Sequence, residues 1–370
     1  MAQRSHPEFS WVTNKSSLDC FADFMRSNIR LDAHGLRLWD VDLGDFASDC
    51  VALQSAGFLA RYSRSLQQPN DYSALAASLI SSIHSRKKEK DWFAIPYNAI
   101  VGSVGEVDLA EFGASSFALR EFHDSSIHPL AQELSTAIVE MVLAHRDKDD
   151  SGRFRKSASA PKEMDVLNAD LYAAFALSTG FIFEQSTELR EDVEKTIRHL
   201  ITRFGKEKED RWVYSENHLS GETILGYSAA YQATIVGWGW LLANDLSNTV
   251  RDDWINTLLD GYLALRIDVA VGPTENTESA RWAKDWRNVW EIRLALCLED
   301  GLQPSDRGLD KINGVTIETI DDIRDAFHVV TPTTPGHRCV SSPLRKVANF
   351  CSIISALDHI RRTPEFFELE

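Results

Sequence analysis

Two kinds of apolar pattern alternate along the chain. In the first, apolar residues recur every three or four positions and charged residues fill the opposite face. Residues 187–204 read TELREDVEKTIRHLITRF. Leu189, Val193, Ile197, Leu200, Ile201 and Phe204 fall at helical spacing, while Glu188, Glu191, Asp192, Glu194 and Lys195 turn away. That pattern predicts a helix with one wet side. Residues 17–29, 72–85, 130–145 and 250–265 repeat it, and a shorter version lies near 317–327. Ser186 or Thr187 is placed to cap one of these helices, and residues 247–249 the next. In the second kind nearly every position is apolar or small, as in LNADLYAAFALSTGFIF over 167–183. A helix that is apolar all round is buried on both sides. Residues 50–62, 114–122, 227–242, 282–298 and 347–360 share this character.

Between each amphipathic helix and the apolar helix after it stands a short aromatic or β-branched segment, then a polar loop. The segments centre on Trp39, Trp92, Phe154, Trp212, Ile267 and Phe327, at separations of 53, 62, 58, 55 and 60 residues. A near-constant period of this size marks repeat architecture. The fold predicted is all-α: an (α/α)6 toroid of six helical hairpins, one domain over residues 1–370, with short strand-like segments in the rim loops. An open solenoid of helix pairs is the rival, and the count of six favours closure. The loops 39–49, 92–113, 154–166, 212–226, 267–281 and 327–346 all join an outer helix to an inner one, which puts them on one rim. Connections on the other side, such as 67–70 and 244–248, are short turns. Long ordered loops are more often functional than decorative, so the rim is where a site is expected.

Composition narrows the function classes. The chain is 44% hydrophobic and 25% charged, enough for a large core. Its net charge of −16 argues against a nucleic-acid partner, which needs surplus Lys and Arg. The one basic run, Arg86 to Lys90, contains Glu89 and reads as a solvated helix end. Five scattered cysteines with no C-x-x-C pair point to buried thiols in a reducing compartment. The first residues carry no apolar leader, and no stretch reaches the roughly 18 apolar residues of a membrane span. The expectation is a soluble cytoplasmic protein, with its oligomeric state left open.

The rim is rich in carboxylates: Asp40, Asp42, Asp45 and Asp49, then Glu106 and Asp108, Glu163 and Asp165, Glu216 and Glu222, Glu275 and Glu278. Trp39, Trp92, Tyr97, Trp212, Tyr214, Tyr227, Trp282 and Trp286 accompany them. Aromatic faces stack on the C–H face of a pyranose, carboxylates accept its hydroxyls, and two carboxylates across a glycosidic bond supply acid and base. The plainer alternative is that the segment tryptophans plug the ends of outer helices, and that Asp49, Asp165 and Glu222 sit at helix N-termini. Asp165, Asn168 and Tyr172 are spaced as one helical face, and Tyr227, Tyr231 and Gln232 repeat this on the next apolar helix. Polar groups on apolar helices need partners or a wet cavity, so a polar wall or a self-satisfied buried network is expected. His218 stands beside Glu216 as a candidate base, and Arg338 or Lys346 could hold a substrate carboxylate. No zinc-binding His spacing, phosphate loop or nucleophile elbow is present, so neither metal nor cofactor is expected. The D-x-D-D string at residues 147–150, a feature of protonating terpenoid cyclases, lies here in a polar turn.

The segments DVLNADLYAAFAL and RWVYSENHLSGETILGYSAAYQ, with the hairpin period, resemble α/α-toroid proteins of bacterial polysaccharide metabolism, including exopolysaccharide biosynthesis proteins and, more distantly, uronyl C5-epimerases and toroid lyases. The likeness covers mainly residues 150–300. It implies a sugar polymer as partner but transfers no catalytic set. The expected function is a carbohydrate-active enzyme acting on an oligo- or polysaccharide by hydrolysis, elimination or epimerisation. Asp165, Glu216, Tyr172 and His218 are the catalytic candidates. Asn168, Trp212, Tyr214, Tyr227, Tyr231, Gln232, Trp282 and Arg338 are the binding candidates. A non-catalytic glycan-binding or scaffold ring is the alternative, and a terpenoid cyclase the third.

Overall fold

Amphipathic and all-apolar helices differ in burial as their patterns predict. The computed structural model describes residues 15–66, 70–99, 101–148, 152–206, 210–227, 229–271 and 342–362. These contain ten α-helices: α1 (Lys15–Ser27), α2 (Asp49–Ser65), α3 (Tyr72–Ser85), α4 (Phe112–Arg120), α5 (His128–Ala144), α6 (Leu167–Glu184), α7 (Thr187–Arg203), α8 (Ala229–Ala243), α9 (Asn248–Val271) and α10 (Pro343–Arg362). Two antiparallel three-stranded sheets join them: β1 (Ile29–Asp32), β2 (Gly35–Asp40) and β3 (Asp45–Phe46), then β4 (Met164–Val166), β5 (Val213–Asn217) and β6 (Thr223–Tyr227). Among the described residues, no helix is long and apolar enough to cross a membrane.

The described residues group into two compact units. One holds α1 to α3, most of α4, α10 and the first sheet. Here α2 is buried without interruption from Asp49 to Tyr62, whereas α3 buries only Ala76, Leu79, Ile80, Ser82 and Ile83. α2 and α4 touch through Gly57, where an added Cβ would stand 2.7 Å from Ala118 Cβ, so only glycine permits the approach. α10 also packs on α2, and Phe350 meets Phe21 of α1 edge-on at 5.6 Å. The other unit holds most of α5, α6 to α9 and the second sheet. α6 is buried from Leu167 to Gly180, while α7 buries one stripe, Leu189, Val193, Thr196, Ile197 and Leu200. Ser186 caps α7, its hydroxyl accepting Leu189 N–H at 3.4 Å.

The aromatic segments are anchored in a repeated way. The indoles of Trp92 and Trp212 donate to Ile83 and Leu200 carbonyls at the ends of α3 and α7, at 2.9 and 2.8 Å. The segment's own main-chain N–H goes to a polar side chain of an apolar helix: Phe93 to Asp49 at 2.9 Å, Phe154 to Asp170 at 2.7 Å, Trp212 to Gln232 at 3.1 Å. Buried N–H groups left unpaired would each cost about 1–3 kcal/mol, which explains polar residues on apolar helices.

Four expectations are corrected. Asp165 lies in β4, before α6, and Tyr227 ends β6, before α8. Neither therefore shares a helical face with its expected partners, because strand pairing among residues 164–166, 213–217 and 223–227 overrides the helical spacing. Glu222 precedes a strand rather than a helix. Ile267 is inside α9, since the first helix-breaking pair in the sequence is Gly272-Pro273. Lys346, expected in a loop, falls in α10. Trp282 and Arg338, with the helices expected at 282–298 and 317–327, lie outside the described residues, as do Asp149 and Asp150.

Candidate functional site

The second sheet sets Asp165 directly opposite Glu216 across β4 and β5. The two leading carboxylates of the sequence are thus cross-strand partners, each 2% exposed. Like charges facing each other across a sheet are unfavourable unless neutralised. α7 supplies the neutralising groups one turn apart: His199 Nε2 lies 2.9 Å from Asp165 Oδ2, and Arg203 pairs with Glu216. A third carboxylate, Asp170, comes from the first turn of α6 and is fully buried. Its Oδ1 accepts the Phe154 N–H, and its Oδ2 stands 3.7 Å from His199 Nε2. Burial, reinforced by the charge of Asp165, pushes the Asp170 carboxyl well above the usual range. Burial also opposes charge on Asp165, but the hydrogen bond and charge of His199 outweigh it and hold that carboxyl low. Arg153, 3.1 Å from Asp147, adds positive potential to both.

A second constellation gathers from five chain segments. Tyr214 of β5 and Tyr231 of the first turn of α8 place their rings 4.2 Å apart at 40°. Tyr172, in the second turn of α6, lies against Gly113; a Cβ there would fall 1.8 Å from Tyr172 Cδ1. Asp108 caps the short 3-10 turn Leu109–Glu111 by accepting Ala110 N–H at 2.9 Å, and its other oxygen pairs with the Lys156 ammonium. Burial pushes the Asp108 carboxyl up against the opposing pull of Lys156. Burial likewise raises the Tyr214 and Tyr231 phenols, with Asp108 adding negative potential to both, so both keep their protons. Tyr172, Tyr214, Asp108 and Lys156 are buried, and Tyr231 is the half-exposed member.

The remaining candidates have other surroundings. Gln232 accepts from Trp212 N–H and donates to Asp210 and Gly261 carbonyls at 3.2 and 3.1 Å. Trp212 is 2% exposed and packs in the core. Asn168 is buried, with its side-chain oxygen unpaired. Tyr227 lies under the Arg211 guanidinium at 5.4 Å. His218 is half-exposed in the β5–β6 turn, its main-chain N–H donating to Glu163 O at 3.0 Å. Asp108, one of the carboxylates expected in the loops, is singled out by its pairing with Lys156, and the structure adds Lys156, Asp170, His199 and Arg203. Of these only Asp170 carried a local signal, a charge inside the run LNADLYAAF.

No family model and no curated protein matches the sequence. Solved structures match it in fold. The unsaturated glucuronyl hydrolase of Bacillus sp. GL1 superposes with a TM-score of 0.55 at 12% identity, covering 93% of this chain and 94% of its own. The cellobiose 2-epimerase of Bacillus thermoamylovorans B4167 gives 0.59 at 12% identity over 95% of this chain and 100% of its own. The GH76A α-1,6-mannanase of Salegentibacter sp. HEL1_6 gives 0.58 at 12% identity over 93% and 99%. These neighbours are α/α toroids, and at this identity the likeness is one of fold.

Proposed function

We propose that this chain is a carbohydrate-active enzyme that takes an oligo- or polysaccharide in the cleft of a six-hairpin ring. The observation that carries the reading is the convergence of Tyr172, Tyr214, Tyr231, Asp108 and Lys156, drawn from two helices, a strand and two loops that are separate in the sequence. The return of α10 onto α2 supports closure of the hairpins. Phenols that keep their protons donate hydrogen bonds to sugar oxygens, and the Tyr231 ring offers an apolar face at the surface. Asp108 is the candidate proton-transfer group, because burial and Lys156 pull its carboxyl in opposite directions. Asp165 and Glu216 become positioning groups in this reading, since His199 and Arg203 already engage them. The fold likeness supports the substrate class: an inactive variant of the similar mannanase was solved with α-1,6-mannotetrose. Hydrolysis, elimination and epimerisation are the reactions to screen.

The test is turnover of neutral and uronate-containing oligosaccharides by wild type, Asp108→Asn and Tyr231→Phe. Loss of turnover in Asp108→Asn with glycan binding retained, and a raised KM in Tyr231→Phe, is the expected result. Equal turnover by Asp108→Asn removes Asp108 from the mechanism. A second reading, a glycan-binding ring without catalysis, is favoured by the engagement of Asp165 and Glu216 in ion pairs. Glycan-array binding by wild type with no product from any substrate would select it.

A further inference from the structure

We propose that Asp165, Asp170 and His199 form a site for one divalent transition-metal cation that ties β4, α6 and α7 together. One ligand atom from each residue lies within 4.8 Å of the other two. His199 Nε2 is 2.9 Å from Asp165 Oδ2 and 3.7 Å from Asp170 Oδ2. Donors held about 2.0–2.2 Å from one ion are themselves roughly 3–4 Å apart, so small movements of these side chains close the set on a cation.

A separate observation concerns the oxygens that the surrounding protein leaves unserved. Asp165 Oδ1 and Asp170 Oδ2 are buried and accept no hydrogen bond from a nitrogen or from another residue's hydroxyl; the two carboxyls face each other and hydrogen-bond through a shared proton. Asp170 is fully buried, and its Oδ2 faces the imidazole beyond hydrogen-bond reach. Holding two buried carboxyls on one shared proton is costly, and a cation that displaces the proton serves both carboxyls and the imidazole at once. Two carboxylates and a neutral imidazole are charge-balanced by a divalent ion, which a low-dielectric interior favours. The other oxygen of Asp170 is fixed by Phe154 N–H at 2.7 Å, the outer hydrogen bond that orients a metal-binding carboxylate.

The donor set selects the metal class. One imidazole nitrogen and up to three carboxylate oxygens suit zinc or manganese, whereas calcium takes six to eight oxygens. The role is structural. The cluster joins a strand to an inner and an outer helix and is sealed apart from the edge of His199, whose side chain is 12% exposed. The sequence conceals the site because its ligands come from three elements, with 34 residues between Asp165 and His199.

The test uses the full chain, stripped with a chelator and carrying no metal-binding tag. Zinc and manganese are titrated by calorimetry, and cobalt by its visible absorption bands. The expected result is roughly one tightly bound ion, a rise of several degrees in Tm, and cobalt bands characteristic of nitrogen–oxygen ligation. Asp170→Asn and His199→Gln should weaken binding at least about tenfold while circular dichroism confirms that both variants fold. Asp170→Asn, which keeps the side-chain shape, carries the test if the histidine variant does not fold. Three results would overturn the site. Wild type takes up no cation; the two variants bind as wild type does, which puts the ion elsewhere; or Asp170→Asn alone raises the metal-free Tm and zinc adds nothing to wild type, which shows that the shared proton, not a cation, is the resident partner of the two carboxyls.

Discussion

Lys156→Met is the perturbation with the largest calculable effect at the tyrosine cluster. Lys156 is 4% exposed and Asp108 3% exposed, and the two pair directly. Methionine keeps the bulk of the lysine stem and removes the ammonium. Asp108 then either stays charged without a partner, which costs several kcal/mol, or takes up a proton. Protonation sets the ceiling. Holding a carboxyl of ordinary pKa about 3.9 neutral at pH 7 costs about 1.36 kcal/mol for each of roughly three units, or about 4 kcal/mol. At pH 5 the same ceiling is about 1.5 kcal/mol. The sign follows from proton binding. Without Lys156, Asp108 holds its proton more tightly folded than unfolded, so the variant loses stability as pH rises through and above the ordinary carboxylate range. Chemical denaturation followed by tryptophan fluorescence measures the gap to wild type, expected to be up to about 4 kcal/mol at pH 7 and up to about 1.5 kcal/mol at pH 5. Adding Asp108→Asn to Lys156→Met should recover most of it, because no buried charge remains. A gap under about 1 kcal/mol at pH 7, or one equal at both pH values, would refute the claim that Lys156 neutralises a buried Asp108.

Three further outcomes are expected. Arg203→Met strands Glu216 in the sheet and should cost about 3–5 kcal/mol in denaturation, most of it regained with Glu216→Gln. Gly57→Ala drives a methyl into Ala118 and should cost about 1–3 kcal/mol, whereas Gly237→Ala in α8, where a Cβ meets nothing within 4 Å, should raise Tm by calorimetry. Glu121 is pushed up by burial, but Arg61 at 2.7 Å and Arg64 outweigh this and hold its carboxyl below the ordinary range. Its stabilising contribution is present above about pH 4.5 and lost as pH falls below it, so Glu121→Gln should flatten the acid side of a Tm-against-pH curve.

Helix kind was legible because burial is written locally. The stripe of Leu189, Val193, Ile197 and Leu200 needs only helical spacing to declare an outer helix, and the unbroken apolar run of α6 needs only its own composition. The tryptophans were legible in part. Their position before the loops was visible, and the carbonyls that receive Trp92 and Trp212 lie at the ends of the preceding helices, close in sequence. Asp165 and Tyr227 were misplaced because helical spacing and a short strand can fit the same three or four residues. Only the pairing of 213–217 with both 164–166 and 223–227 decides between them.

By itself, the sequence determined the alternation of half-wet and fully buried helices, the rim loops between them, and the carboxylates and aromatics those loops carry. Tertiary structure decided what each charge is for. Asp165 and Glu216 became cross-strand neighbours held by His199 and Arg203, Asp108 met Lys156, and Asp170 met a main-chain amide from another loop. The reason is the reach of the forces. Apolar burial depends on the periodicity of one segment and is readable along it. The state of a buried charge depends on partners within a few ångströms in space, and these lie 13 to 48 residues away along the chain.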